Sequence, residues 1–342
     1  MRLIKIVSLT VAGLLALAIP SAFAAGECCT RGSLAVAGMP ESTWSLDLLY
    51  DYSSMKTILE GTTEVTPDEV LDDKLMHGAM KYSVPTKMVM QKYVLAAQFK
   101  PAASWRVTAT LPYLINDMDM RMAMQGGMGM PMKSDMTMDT VQGLGDATLG
   151  ALYTLVAPAK GAEGWDMALG IGLKMPTGKN DVKHADTDKN VHAMMQLGTG
   201  SWDPLFMIEG GRDSGKLSLR FNGIYHLATT GDEGYEYGDM IAIDAVARYQ
   251  AAQPLRVGLG LNFLNTGKDT DHDGNYSSPT SMIDNTDNTG LTAFYLTPEV
   301  QFTIPGTGGS FSLAYQQPIY QKVNGTQQVM DWRVLASLGW AF

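Results

Sequence analysis

The sequence contains almost no cysteine and, after its first 24 residues, no long apolar segment. Its two cysteines, Cys28 and Cys29, are adjacent, and neighbouring residues seldom have the geometry of a disulfide. They form either an exposed pair without a fixed role or a thiolate site for metal or redox chemistry. The remaining chain has no apolar run long enough for a transmembrane helix, which excludes that way of crossing a membrane.

Charged residues are also scarce, and basic ones most of all. Charged side chains make up 18% of the sequence and the net charge is −10. Lys and Arg are scattered singly, so no basic stripe is available for the phosphate backbone of a nucleic acid. The 5 histidines fall in or beside predicted loops and have no nucleophile or acid at motif spacing. The sequence therefore predicts neither a nucleic-acid partner nor an enzyme.

The first 24 residues have the pattern of a secretory signal peptide. Arg2 and Lys5 form a positively charged start, and residues 7–19 are apolar. Ala22-Phe23-Ala24 is a small-x-small cleavage site. The chain is therefore expected to be exported, with residues 25–43 as a periplasmic N-terminal segment.

From residue 44 onward, apolar and polar residues alternate in about twelve segments. A period of two places successive side chains on opposite faces of a β-strand. Segments 44–52, 87–99 and 104–113 follow this period. The last segment, 329–342, has aromatic residues near both ends of its apolar face, which consists of Trp332, Val334, Ala336, Leu338, Trp340 and Phe342.

The connections between these segments alternate between long and short. Even-numbered segments are followed by short turns such as Lys100-Pro101-Ala102-Ala103. Odd-numbered segments are followed by long connections, which include residues 53–86, 114–145, 177–201, 228–238 and 265–292. Short periplasmic turns and long extracellular loops are typical of outer-membrane barrels. Residues 44–342 are therefore predicted to form an all-β fold, an antiparallel transmembrane β-barrel of about twelve strands.

A barrel of this kind belongs in the outer membrane of a Gram-negative bacterium, in contact with its lipid. The last strand would seal the barrel against the first. Phe342 ends the chain, and we expect it to be the signal by which the barrel assembly machinery recognises the protein.

The polar faces of the predicted strands are assigned to a wet lumen, because a membrane barrel turns its apolar face to lipid. A ring of mixed charge there would set an electric field for permeating solutes. The residues expected to line the lumen are Arg106, Lys174, Arg220, Arg256, Glu299 and Arg333.

Two strings of residues resemble a known family. One is Gln142-Gly143-Leu144-Gly145-Asp146-Ala147-Thr148-Leu149-Gly150, and the other is Gly172-Leu173-Lys174-Met175-Pro176-Thr177-Gly178-Lys179. Together they are similar to the outer-membrane transporter family named for the meta-pathway of phenol degradation. The resemblance implies an outer-membrane β-barrel that acts as a channel for hydrophobic compounds.

The most unusual stretch is residues 117–139, a predicted loop in which methionines stand mostly two apart. Thioether sulfur is a soft ligand that suits Cu(I) or Ag(I). Methionine is also a flexible apolar side chain, so the same run could bind apolar substrate or simply extend two strands into a hairpin. The candidate metal ligands are Met118, Met120, Met122, Met124, Met128, Met130, Met132, Met136 and Met138.

Other loops contain weaker candidates for cation sites. Asp269, Asp271 and Asp273 stand at alternate positions before Gly274, like the first half of a calcium-binding loop, but no glutamate follows at the twelfth position. Soft or borderline ligands also occur in the first and third long loops, at Met76, His77, Met80, His184, His192, Met194 and Met195.

These patterns predict a passive outer-membrane channel or transporter for a small solute, which the resemblance suggests is hydrophobic or aromatic. The alternative is an outer-membrane protein that handles copper or silver through residues 117–139. No cofactor is required by the first function, whereas the second would need Cu(I) or Ag(I).

Overall fold

The computed structural model describes residues 43–126, 131–158, 163–185 and 188–342. The predicted signal peptide, residues 25–42, and with them Cys28 and Cys29, lie outside the described residues. Strands dominate what is described: β1 (Trp44–Glu60), β2 (Thr63–Val65), β3 (Lys81–Ala102), β4 (Trp105–Gln125), β5 (Pro131–Thr137), β6 (Val141–Leu144), β7 (Ala147–Val156), β8 (Gly164–Met175), β9 (Asp203–Ser214), β10 (Leu217–His226), β11 (Tyr235–Glu236), β12 (Met240–Ala252), β13 (Leu255–Thr266), β14 (Thr270–Asp271), β15 (Leu291–Ile304), β16 (Gly309–Val323) and β17 (Thr326–Ala341).

Twelve of these described strands form a closed antiparallel barrel, as the sequence predicted. Each barrel strand pairs with its neighbours in chain order, and β17 pairs with β1 from Ser45 opposite Ala341 onward. Two further hydrogen bonds complete the seam, from the backbone N–H of Trp44 to the carbonyl of Phe342 and from that of Phe342 to the carbonyl of Trp44, each 3.0 Å long. Among the twelve described barrel strands the seam leaves no free edge, which is the condition for strands to cross a lipid bilayer.

The outer face of the barrel is apolar and has aromatic residues at both ends. Near the short turns, Trp44 stacks on Phe99 with 4.3 Å between ring centroids. Near the long connections, Tyr52 stacks on Trp332 at 5.3 Å. Two aromatic girdles around an apolar band are typical of outer-membrane barrels. The protein is therefore a barrel of the Gram-negative outer membrane, with its short turns on the periplasmic side.

Strands β1, β3 and β4 continue beyond the outer aromatic girdle. The sequence predicted a loop from residue 114, but β4 runs on to Gln125 and pairs with β5 in a hairpin. Asp119 accepts a hydrogen bond from Thr137, and Arg121 donates to Asp135 across the same two strands. The loop prediction was wrong because these acidic residues were interpreted as a loop signal, whereas they lie on the polar face of a strand. The alternative, in which the methionine run extends the strands into a hairpin, agrees with the structure.

One helix lies in the first long connection, α1 (Pro67–Met76). Thr66 and Glu69 form a capping box at its start, with Pro67 at the first helical position. Its apolar side packs beside the extended part of β3 and β4, with Val70, Leu71 and Leu75 buried. Among the described residues, no helix is long and apolar enough to span a membrane.

Removal of Phe342 should reduce the amount of folded barrel in the outer membrane, because the strand that closes the barrel loses its last backbone hydrogen bonds and its terminal aromatic residue. The folded fraction can be measured by heat-dependent gel mobility of outer-membrane preparations. Phe342→Tyr, which keeps an aromatic end, should insert normally. Normal insertion of the deletion variant would contradict the role given to Phe342.

Candidate solute-binding region in the barrel lumen

The periplasmic half of the lumen is lined by charged residues that are joined in pairs. Arg106 donates a hydrogen bond to Glu209, which lies on β9. Arg248 on β12 donates to Glu299 on β15, and the side chains of both are at most 2% exposed. Because each charge has a partner within hydrogen-bond distance, the fields of the two members largely cancel.

Two further charged groups occur higher in the lumen. Arg333 on β17 donates to Asp51 on β1, with 2.7 Å between Nε and Oδ1. The ammonium of Lys174 lies 3.3 Å from Asp146 and 2.5 Å from Asp203. Lys174, on β8, thereby joins Asp146, which immediately precedes β7, to Asp203, the first residue of β9.

All six residues predicted to line the lumen lie on the inner face of their strands. Five are buried and Arg256 is half-buried, with its Nε 2.6 Å from the Oε1 of Gln250. They do not form the open ring of mixed charge that was expected, because acidic partners neutralise most of them. Sequence reasoning missed the cation Arg248 and the acidic partners, which are Asp51, Asp146, Asp166, Asp203, Glu209 and Asp213. Most of them stand on the polar face of a predicted strand, whereas Asp213 falls in a predicted short turn.

The extracellular half of the lumen is filled by an apolar cluster that we call the methionine cluster. Eight of its seventeen buried residues are methionine, which far exceeds the use of Met in an ordinary core. Its members come from nearly every side of the barrel: Met55, Met88, Met90, Leu114, Met118, Met120, Val141, Val191, Met195, Leu197, Leu205, Ile224, Met240, Leu264, Ala293, Tyr295 and Met330.

Part of this cluster comes from the third long connection, which folds back into the barrel. A short 3-10 helix, Ala193–Met195, places Met195 against the strands. The side-chain amide of Asn116 donates to the carbonyl of Met195 at 3.2 Å. Gln196 bonds to the backbone of Val182, with 3.0 Å from its Nε2 to the carbonyl. These bonds hold the connection in place across the top of the lumen.

Asn116 has a second polar atom inside the methionine cluster. Its Oδ1 is fully buried and accepts no hydrogen bond from the described residues. Asn116 lies directly opposite Met90 on β3 and two residues before Met118 on the same face of β4. A buried acceptor surrounded by apolar groups favours a molecule with one hydrogen-bond donor and an apolar body.

The nine methionines predicted as metal ligands differ in how deeply they are buried. Met118 and Met120 are buried in the methionine cluster, and Met138 packs against it. Met122 is half-buried on the inner face of β4. Three others are exposed on the hairpin, namely Met124, Met132 and Met136. Met128 and Met130 lie outside the described residues.

Two of the three carboxylates predicted to bind calcium, Asp269 and Asp271, have other partners. Asp269 accepts hydrogen bonds from a tyrosine hydroxyl and a backbone N–H. Burial raises the pKa of Asp271, but hydrogen bonds from Ser277 and neighbouring backbone groups outweigh it and hold that pKa below its usual value. Among the described residues, no three His, Cys, Asp or Glu side chains are grouped as a metal ion would require.

Replacing Glu299 with Gln should destabilise the barrel by about 3–5 kcal/mol, because it leaves the charge of Arg248 buried without that carboxylate. The free energy of unfolding in urea, measured on protein inserted in lipid vesicles, checks this. The double variant Arg248→Met/Glu299→Leu, which removes both charges, should lose less stability than Glu299→Gln alone. Equal stability of Glu299→Gln and the wild type would show that the pair is not needed.

Comparison with known structures supports the fold. An outer-membrane channel from Pseudomonas putida F1 superposes with a TM-score of 0.57 at 12% identity, covering 89% of this chain and 97% of that one. The toluene transporter TbuX from Ralstonia pickettii gives a TM-score of 0.42 at 10% identity, covering 89% of this chain and 90% of that one. At 12% identity, the likeness to the Pseudomonas putida channel is one of fold.

Comparison with curated protein sequences gives no match. A family model does match, over residues 80–328, which is well over half of the chain. Its span runs from the start of β3 to the start of β17 and includes both strings of residues that carried the resemblance. The chain therefore belongs to the family described as the MetA-pathway of phenol degradation.

Proposed function

We propose that the protein is a passive channel that admits small hydrophobic solutes, including aromatic ones, through the outer membrane. The observation that carries the proposal is the methionine cluster, a large apolar region in the extracellular half of a lumen whose periplasmic half is lined by paired charges. Membership of the family supports it, as does the fold shared with an outer-membrane channel.

Methionine suits this task because its side chain is unbranched, flexible and polarisable. A methionine-lined region can change shape around solutes of different outline, and thioether sulfur makes favourable contacts with aromatic rings. A cluster of branched side chains would be more rigid and would fit fewer solutes. The composition of the cluster therefore supports binding of varied apolar molecules rather than simple packing.

The paired charges below the cluster support the same function. An apolar solute forms no favourable contact with an isolated charge. To pass that charge it would have to displace the water bound to it, which costs free energy. Ion pairs such as Arg333–Asp51 and Arg248–Glu299 keep the inner wall polar but nearly neutral. A solute that leaves the methionine cluster then meets a polar wall without a strong field of either sign.

The free Oδ1 of Asn116 suggests which aromatic solutes bind best. A ring with a single hydroxyl could place its apolar body among Met90, Met118 and Met195 and donate its O–H to Asn116. Toluene has the ring but no donor, whereas phenol has both. The proposed preference is therefore for hydroxylated rings over plain hydrocarbons of similar size.

Met118→Asp should slow the entry of toluene into vesicles that contain the protein, because a carboxylate in the cluster must be desolvated as the solute arrives. Met132→Asp is the matched control, since it places the same charge on an exposed hairpin position. Both variants are first checked for folding by heat-dependent gel mobility. A folded Met118→Asp barrel that admits toluene at the wild-type rate would contradict the proposed path.

Asn116→Leu should weaken phenol binding while leaving toluene binding nearly unchanged. A lost hydrogen bond of ordinary net strength, about 0.5–1.5 kcal/mol, corresponds to roughly a 2- to 12-fold weaker affinity. Calorimetric titration of the purified barrel with each compound measures the ratio. An equal loss for both compounds would mean that Asn116 holds Met195 in place and does not contact the solute.

A further inference from the structure

The register of the sheet brings four distant methionines into one row across adjacent strands. Met88 on β3 lies opposite Met55 on β1 and, on its other side, opposite Met118 on β4. Met55 lies opposite Met330 on β17. All four are between 0 and 2% exposed and belong to the methionine cluster. We call them the methionine row. Residues directly opposite each other have Cβ atoms about 4.5–5.5 Å apart, so neighbouring thioethers in the row can converge on one atom.

A second set of methionines leads from the hairpin tip down to this row. Met120, Met122 and Met124 follow Met118 at every second position of β4, on one face and about 7 Å apart. On β5, Met136 lies opposite Met120 and Met132 lies opposite Met124, so both share that face. These five residues, which we call the methionine track, pass from exposed positions at the tip to a buried one beside the row.

The opposite face of the same hairpin is polar, which shows that the methionines are sorted by face. Asp117, Asp119 and Arg121 alternate with the methionines along β4. Asp119 accepts from Thr137 and Arg121 donates to Asp135, both across to β5. A hairpin stabilised on its polar face does not need methionine at every exposed position of the other face. Packing therefore explains the buried row better than it explains the exposed half of the track.

We propose that the methionine row is a binding site for a soft monovalent cation, Cu(I) or Ag(I), and that the methionine track guides the ion to it from the cell exterior. Thioether sulfur is a soft donor that prefers such ions over hard cations. The described residues offer no competing group of His, Cys, Asp or Glu ligands. The ligands of this site differ from the loop predicted from sequence, because Met55, Met88 and Met330 complete it.

The distribution of charge in the protein favours binding of a cation that can later be released. The net charge of −10 and the acidic residues around the hairpin, such as Asp117, Asp119 and Asp135, raise the local concentration of cations. The row itself is neutral, since thioethers carry no charge. A neutral set of donors leaves the charge of the ion uncompensated, and conduction requires a site that the ion can also leave. This inference does not depend on the proposal for hydrophobic solutes.

The test is titration of the full-length barrel, purified in detergent, with Ag(I), which avoids the redox chemistry of copper. Met55→Leu/Met88→Leu/Met118→Leu removes three thioethers of the row and keeps side chains of similar volume. We expect it to weaken the tightest Ag(I) binding by at least the roughly 10- to 100-fold that loss of even an outer-shell group costs at metal sites. X-ray absorption at the silver edge, measured with one equivalent of Ag(I), should show more sulfur neighbours in the wild type than in this variant.

The matched control is Met124→Leu/Met132→Leu/Met136→Leu, which removes three exposed thioethers of the track. It should keep the wild-type affinity of the row and lose only weaker, additional Ag(I) binding. Wild-type binding no tighter than that of the row variant would overturn the proposal, and so would loss of the tightest binding in the track variant alone. If the row variant fails to fold, Met88→Leu and Met118→Leu are each compared with Met132→Leu. Toluene entry is measured on the same proteins, so failure of either proposal can be recognised separately.

Discussion

The backbone ladder between β1 and β17 is the interaction on which the rest of the structure depends. In the hydrocarbon layer no water can satisfy an unpaired N–H or C=O group, so the strands must pair on both sides. The seam from Trp44–Phe342 to Glu60–Thr326 meets this condition for the last free edges. Once the barrel is closed, the period of two along each strand assigns one face to lipid and the other to the lumen.

Within the closed barrel, the two halves of the lumen differ in polarity. Inward residues near the periplasmic turns are charged and are paired across strands, as Arg106 is with Glu209. Many inward residues beyond the middle of the barrel are apolar, and the connection around Met195 folds over them. The group of Lys174, Asp146 and Asp203 is a polar exception at the extracellular ends of β8 and β9. In the proposed function, a solute from outside meets the methionine cluster before it reaches the paired charges of the periplasmic half. The two proposed ligands, a small aromatic molecule and a soft cation, both use the chemistry of methionine in that first region.

The sequence alone predicted the barrel, its strand number and its location, because each strand carries its own alternation and each connection its own length. It also placed Arg333 in the lumen, but its partner Asp51 is 282 residues away and no local pattern links the two. The methionine row could not be predicted for the same reason. Neither Met55 nor Met330 belongs to a methionine-rich segment, and they join Met88 in one row only through the pairing register of the strands. Residues 117–125 were assigned to a loop because acidic side chains in a strand above the membrane look the same as those in a loop.

A hydrophobic solute that follows the proposed route must bind in the methionine cluster on its way through the barrel. Crystals of the protein soaked with 4-bromophenol would show whether it does, since anomalous scattering locates bromine without regard to the rest of the map. We expect a bromine peak among Met90, Met118 and Met195, with the ring hydroxyl directed at Asn116. Bromine found only among the paired charges of the periplasmic half, or only on the lipid-facing wall, would contradict it.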